Sequence, residues 1–203
     1  MKRGLYLVTP DWDDTARLLA VSRAAIEGGA VMLQYRHKTA SDALRAEQAR
    51  ALRALTHELG CAFIVNDSLA LALAAGADGV HLGRDDGDVA QARARAGRAL
   101  TIGVSCYADF ARARAAHAAG ADYVAFGAMF ASPTKPLAPP APASLIARAR
   151  HELGARVTCI GGITAANAAA LVEAGADWVA VISDIYQAAD PRAQAARVAA
   201  LYR

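Results

Sequence analysis

Hydrophobic residues along this chain fall in short runs of four or five. Between the runs lie longer stretches in which apolar positions recur with helical spacing or alanine dominates. The runs are at residues 5–9, 31–35, 62–66, 79–82, 100–104, 123–127, 156–160 and 178–182, and the stretches at 13–27, 41–59, 68–75, 87–96, 109–119, 142–153, 165–174 and 191–202. Short apolar runs read as strands and the longer stretches as helices. A recurring phrase marks the joints: Ala75-Gly76-Ala77-Asp78-Gly79-Val80, Ala119-Gly120-Ala121-Asp122-Tyr123-Val124 and Ala174-Gly175-Ala176-Asp177-Trp178-Val179, with a weaker version opening at Gly28-Gly29-Ala30-Val31. Its glycine suits the end of a helix and its last residues suit the start of a strand, so the phrase is a structural helix-to-strand joint. Eight β-then-α units predict a parallel sheet, and that number favours a closed (β/α)₈ barrel over an open doubly wound sheet. An open sheet would also be expected to show a Gly-rich turn after its first strand, where this chain has Val8-Thr9-Pro10-Asp11-Trp12.

Composition narrows the picture without changing it. With 203 residues, 55% of them hydrophobic, the chain can bury one core, so a single compact α/β domain over residues 1–203 is expected. No apolar run is long enough for a membrane span. The basic start, Met1-Lys2-Arg3-Gly4, leads into a short apolar run without a small-residue cleavage site, which reads as a first strand rather than a signal peptide. Cys61, Cys106 and Cys159 are an odd number without CxxC spacing, so neither a disulfide framework nor a zinc site is expected and a cytoplasmic location fits. The net charge of +3 comes largely from arginines spaced along helices as a solvated face, so no nucleic-acid partner is expected, and no membrane partner. A homo-oligomer is compatible with the sequence but does not follow from it.

Barrel enzymes keep their chemistry at the C-terminal ends of strands. After the second run comes Gln34-Tyr35-Arg36-His37-Lys38, where alternation sends Gln34, Arg36 and Lys38 one way and Tyr35 and His37 the other. Two cations and an amide facing one way suit a polyanion. Asn66-Asp67 follows the third run, and His81-Leu82-Gly83-Arg84-Asp85-Asp86 ends the fourth. Carboxylates from neighbouring loops suit Mg²⁺, and equally Asp85 or Asp86 caps the helix that follows. His81, in an apolar strand, reads first as a hydrogen-bonded core residue. Ser105 ends the fifth run without an Asp–His arrangement to make it a nucleophile, so it is a ligand-binding hydroxyl. The long loop Gly127–Pro140 offers Ser132, Pro133, Thr134 and Lys135, either to cover a site or as a plain connector. Gly161-Gly162-Ile163-Thr164 and Val181-Ile182-Ser183-Asp184 end the last two runs, the loops in which barrels form a phosphate cradle. Two anion sites result, which fits an enzyme joining or splitting a phosphate ester and a diphosphate ester.

These phrases, in this order, resemble the thiamine phosphate synthase family from Leu5 to about Ala199. The resemblance implies a TIM barrel transferase of thiamine biosynthesis with small-molecule substrates. It implies that Gln34, Arg36 and Lys38, with neighbouring Tyr35 and His37 and with Asn66, Ser105 and Lys135, hold a pyrimidine diphosphate. Arg36, Lys38, Ser105 and Lys135 are then the catalytic group, Asp67 and Asp86 hold Mg²⁺, and Ser132, Pro133, Thr134, Gly162, Ile182 and Ser183 hold a thiazole phosphate. The pattern departs at Arg84, Tyr107, Ala131 and Asp184. A carboxylate at Asp184 is repulsive to a phosphate unless it points away. A thiazole tautomerase of the same superfamily would not need the metal and diphosphate groups. A sugar-phosphate isomerase would want an acid–base pair, and a non-catalytic ligand-binding barrel would not need the metal ligands.

Overall fold

In the computed structural model, which describes residues 1–131 and 140–203, eight strands alternate with helices. The strands are β1 (Gly4–Val8), β2 (Met32–Tyr35), β3 (Ala62–Asn66), β4 (Gly79–Leu82), β5 (Thr101–Tyr107), β6 (Tyr123–Phe126), β7 (Arg156–Ile160) and β8 (Trp178–Val181). The helices are α1 (Thr15–Glu27), α2 (Asp42–Glu58), α3 (Leu69–Ala74), α4 (Val89–Ala96), α5 (Phe110–Ala118), α6 (Ser144–Leu153), α7 (Ala168–Glu173), α8 (Ser183–Tyr186) and α9 (Pro191–Ala199), with a 3₁₀ turn at Ala200–Tyr202. The strands pair in chain order, all parallel, and β8 closes on β1. The barrel expected from the eightfold alternation is the fold found. Local chemistry starts the helices: Asp14, Ser41, Ser68, Asp88, Asp109 and Asp190 cap α1 to α5 and α9 by accepting a backbone N–H three residues on.

Alternation along each strand divides the core in two. Tyr6, Val8, Met32, Ile64, Tyr123, Trp178 and Ala180 point inward and fill the barrel, while residues such as Leu7, Leu33, Phe63, Val124 and Val179 belong to the layer between sheet and helices. The interior is tightly filled. A Cβ on Gly103 would stand 1.9 Å from Cζ of Tyr123, on the neighbouring strand. Gly103→Ala is therefore expected to cost about 2 kcal/mol through overpacking, read as a lower midpoint in urea unfolding.

The joint phrase has a function in the fold. Each of its three aspartates accepts a backbone N–H from the preceding strand and an arginine from the helix before that strand. Asp78 Oδ2 takes the amide of Phe63 at 2.8 Å and Arg53 at 2.9 Å. Asp122 takes the amide of Ile102 at 2.7 Å, together with Arg93. Asp177 Oδ2 takes the amide of Val157 at 2.9 Å and Arg150 at 2.8 Å. The repeated carboxylate thus ties β3 to β4, β5 to β6 and β7 to β8 at the N-terminal rim. In the weaker version Val31 stands in its place and lies against Gly4, where a Cβ would come within 3.0 Å of both its γ-carbons.

Two local features differ from the sequence reading. The short helix α8 after β8 was not expected, because four residues are too few to show a period. Strand β5 runs on to Tyr107, with an irregular pairing to β6 between Ser105 and Tyr107. The three cysteines are free and buried, and burial pushes each thiol up to about 12, which leaves them poor nucleophiles. Among the described residues no helix is long and apolar enough to cross a membrane.

Candidate active site

Polar side chains gather at the C-terminal end of the barrel, and the loop after β2 is held there by the loop after β1. Thr9 clasps the backbone of Arg36 on both sides: the Arg36 amide donates to Thr9 Oγ1 at 2.8 Å, and the threonine hydroxyl donates to the Arg36 carbonyl at 2.8 Å. Asp11 Oδ1 accepts from the Arg36 guanidinium at 2.9 Å and from the Lys38 backbone amide at 3.0 Å. Neither Thr9 nor Asp11 was singled out from the sequence. The signal was a Thr-Pro-Asp turn directly after β1, read there only for its lack of glycines.

The alternation expected over residues 34–38 holds. Gln34 is buried inside the barrel and donates through Nε2 to the Tyr6 hydroxyl at 2.7 Å. Tyr35 and His37 turn the other way. The Tyr35 hydroxyl donates to Gln48 Oε1 on α2 at 2.9 Å. His37 Nδ1 accepts from the Ala40 amide at 3.1 Å, so its Nε2 carries the proton donated to Asp13 at 3.0 Å. The structure therefore does not bring the polar ends of Tyr35 and His37 to the barrel mouth. Their rings form the outer wall of a small cleft shared with Lys38, Asn66 and Asp67.

Asp67 is one of two non-glycine residues with positive φ among the described residues, at 63°, and its amide donates to the His81 carbonyl at 2.8 Å. Such a conformation costs about 1–3 kcal/mol and is kept where surrounding structure demands it. Here it places the carboxylate against the Lys38 ammonium and against Asp86. Asp86 is in turn held by the Gly83 amide at 2.7 Å. Burial works to raise the Asp67 carboxyl, but its contacts with Lys38 and Asp86 outweigh burial and hold it below the usual range. Asp86 is pushed up, first by burial and then by its hydrogen bond to Asp67. The two carboxyls are thus pushed in opposite directions, as interacting neighbours are. The alternative of a helix cap falls away, because Asp88 caps α4 through the Gln91 amide at 2.8 Å, and Asp85 is exposed. No cluster of three or more His, Cys, Asp or Glu occurs among the described residues. Two hard oxygen donors fit Mg²⁺, which takes its other ligands from phosphates and water.

Ser105 stands at the rim, and His81 Nε2 lies 2.8 Å from its Oγ. Burial drives the His81 pKa down to about 4, so the ring is neutral near pH 7. Across the mouth, Gly161 and Gly162 have φ of 102° and 65°. A Cβ on Gly162 would stand 2.6 Å from the Ala131 carbonyl oxygen, so the close turn requires glycine. Asn167 clips this turn by accepting from the Thr164 amide at 2.8 Å and donating to the Gly162 carbonyl at 2.9 Å. Ile182 and Ser183 lie at the start of α8. Asp184 is turned aside: its Oδ2 accepts from the Ala165 amide at 2.9 Å and from Gln194 at 2.7 Å, joining the last two loops. The expected positions Ser132, Pro133, Thr134 and Lys135 lie outside the described residues.

Residues 5–185 match the family described as thiamine monophosphate synthase. The chain belongs to that family. The thiamine-phosphate synthase of Bordetella bronchiseptica is 56% identical over 205 residues, covering 98% of this chain and 94% of its own. That of an Azoarcus species is 55% identical, with 98% and 97% covered. The solved thiamine phosphate pyrophosphorylase of Pyrococcus furiosus superposes with a TM-score of 0.86 at 33% identity, over 98% of this chain and 95% of that one.

Proposed function

We propose that this transferase joins 4-amino-2-methyl-5-(diphosphooxymethyl)pyrimidine to 4-methyl-5-(2-phosphooxyethyl)thiazole, giving thiamine phosphate and diphosphate. The observation that carries the reading is the meeting of Asp67, Asp86 and Lys38, in a chain of this family. Mg²⁺ held by Asp67 and Asp86 would neutralise charge on the departing diphosphate.

The remaining work falls to the protein's own groups. Arg36 and Lys38 stand against Asp11 and Asp67, so an arriving diphosphate exchanges one anionic partner for another. Together with Gln34, Asn66, Ser105 and Lys135 they hold the pyrimidine diphosphate, while Tyr35 and His37 contribute through the backbone. The bond from the pyrimidinylmethyl carbon to the diphosphate oxygen breaks, and its electron pair leaves with the diphosphate. The ring amino group stabilises the resulting cation, and the thiazole nitrogen supplies the pair for the new C–N bond. Ser132, Pro133, Thr134, Gly162, Ile182 and Ser183 hold the thiazole phosphate so that this nitrogen faces the cation. No protein nucleophile or strong base is required, in keeping with a neutral His81 and raised thiols.

Incubation with both substrates and Mg²⁺ is expected to yield thiamine phosphate and diphosphate in equal amounts, and none after chelation. Absence of product where a control synthase turns over would sink the proposal. A location in the cytoplasm accords with such a biosynthetic role.

A further inference from the structure

Beneath the mouth, the barrel interior holds a chain of buried hydrogen bonds. Gln34 Nε2 donates to the Tyr6 hydroxyl at 2.7 Å, and the hydroxyls of Tyr6 and Tyr123 lie 2.9 Å apart. Tyr123 lies 3.0 Å from His81 Nδ1, and His81 Nε2 lies 2.8 Å from Ser105 Oγ. Tyr6 and Tyr123 are at most 1% exposed and His81 is 7% exposed, so water does not replace these partners. The chain begins at one group proposed to contact the pyrimidine substrate and ends at another, on opposite sides of the barrel.

The placing of the spare proton fixes its direction. Each tyrosine and a neutral imidazole supply one proton; the reverse order also fills the four contacts, but it leaves the proton of a buried tyrosine without an acceptor among the described residues, whereas with all protons pointing from Gln34 towards Ser105 the spare one is on Ser105, at the open end. Gln34 turns its Nε2 to Tyr6 and so acts as donor. Tyr6 then donates to Tyr123, Tyr123 to His81 Nδ1, and His81 Nε2–H to Ser105 Oγ. With its acceptor side filled, the Ser105 proton is directed to the mouth. At the other end, the Gln34 amide oxygen remains as an acceptor. A hydroxyl donor at Ser105 matches a phosphate oxygen, and an acceptor at Gln34 matches an exocyclic amino group.

We propose that Tyr6, Tyr123 and His81 are positioning residues that hold Ser105 as a donor to the substrate diphosphate and Gln34 as an acceptor for the pyrimidine amino group, through one buried, one-directional hydrogen-bond chain. The assignment of these partners rests on the function proposed above; the direction of the chain does not. The Ser105 bond strengthens as charge develops on the departing oxygen, so its alignment acts on kcat more than on KM. Removing either tyrosine hydroxyl breaks the chain once, so losses from two cuts do not add.

The experiment has two arms. In ¹⁵N-histidine NMR of the substrate-free protein, with the His81 signal identified by its loss in His81→Gln, the expected state is protonated Nε2 and acceptor Nδ1. A proton on Nδ1 overturns the stated direction. In the kinetic arm, Tyr123→Phe is expected to lower kcat about 10- to 100-fold with KM for both substrates nearly unchanged. Tyr6→Phe, which cuts the chain elsewhere and guards against a folding defect in the first variant, is expected to do the same, and the double variant to lose no more than either. A kcat within twofold of wild type in both folded single variants overturns the positioning role. A wild type that shows the Nε2–H form yet makes no thiamine phosphate overturns the assigned partners of Ser105 and Gln34 together with the proposed function, and leaves the direction of the chain standing.

Discussion

Asp86→Ala is expected to lower Mg²⁺-dependent formation of thiamine phosphate by about 100- to 1,000-fold while changing unfolding free energy by less than about 1 kcal/mol. The asymmetry follows from the surroundings of the carboxyl. Among the described residues it touches the Gly83 amide and Asp67, both at the open end of the barrel. Its removal takes away one favourable hydrogen bond and one unfavourable closeness of like groups, which nearly offset each other. For the metal the loss is not offset. Asp67 alone remains, with the Lys38 ammonium competing for it, so the ion loses one of its two proposed protein ligands. Product formation over a Mg²⁺ titration, with urea unfolding on the same sample, checks both halves, and turnover equal to wild type removes Asp86 from the site.

Asp177→Ala is expected to act at the opposite end of the molecule and in the opposite sense, costing about 3 kcal/mol of stability with kcat of the folded protein unchanged. Its side chain is 6% exposed and lies within reach of Arg150, Arg3 at 3.6 Å and Arg156 at 3.8 Å, besides the Val157 amide. Truncation leaves that amide buried without its carboxylate partner and removes the shared anion from three guanidinium groups. Those groups are themselves partly exposed, and water recovers part of their loss, which is why the cost is set at the lower end for a broken buried pair. Asp177→Asn keeps an acceptor for Val157 and is expected to lose less. Urea midpoints for the two variants, with kcat below the transition, decide the matter; a marked fall in kcat would mean that the rim is coupled to the site.

The fold was legible because its signals are local and repeated. Apolar runs of strand length, joints with a helix-ending glycine and the alternation of residues 34–38 each depend on neighbours in sequence, and each was found where expected. The aspartate of the joint was visible as a repeat but not as a contact. Its partners lie 15 to 29 residues away on another strand and another helix. The site was legible in residue type and less so in role. The reading of Asp86 as a helix cap fell away only when Asp88 proved to cap α4. Asp184 read as a threat to a phosphate until its carboxylate was found tied to Ala165 and Gln194. His81 was expected to be a hydrogen-bonded core residue and is one, yet its partners come from β5 and β6, and the chain continues to β1 and β2.

By itself, then, the sequence determined the eight-unit barrel and which loop ends carry polar groups, since period, joint and strand parity are properties of adjacent residues. Only the tertiary structure decided which of those groups meet. Closing the sheet sets Asp67 against Asp86, turns Asp184 aside and links Ser105 to Gln34 through the barrel interior. These pairings depend on register and barrel closure, which bring together atoms far apart along the chain.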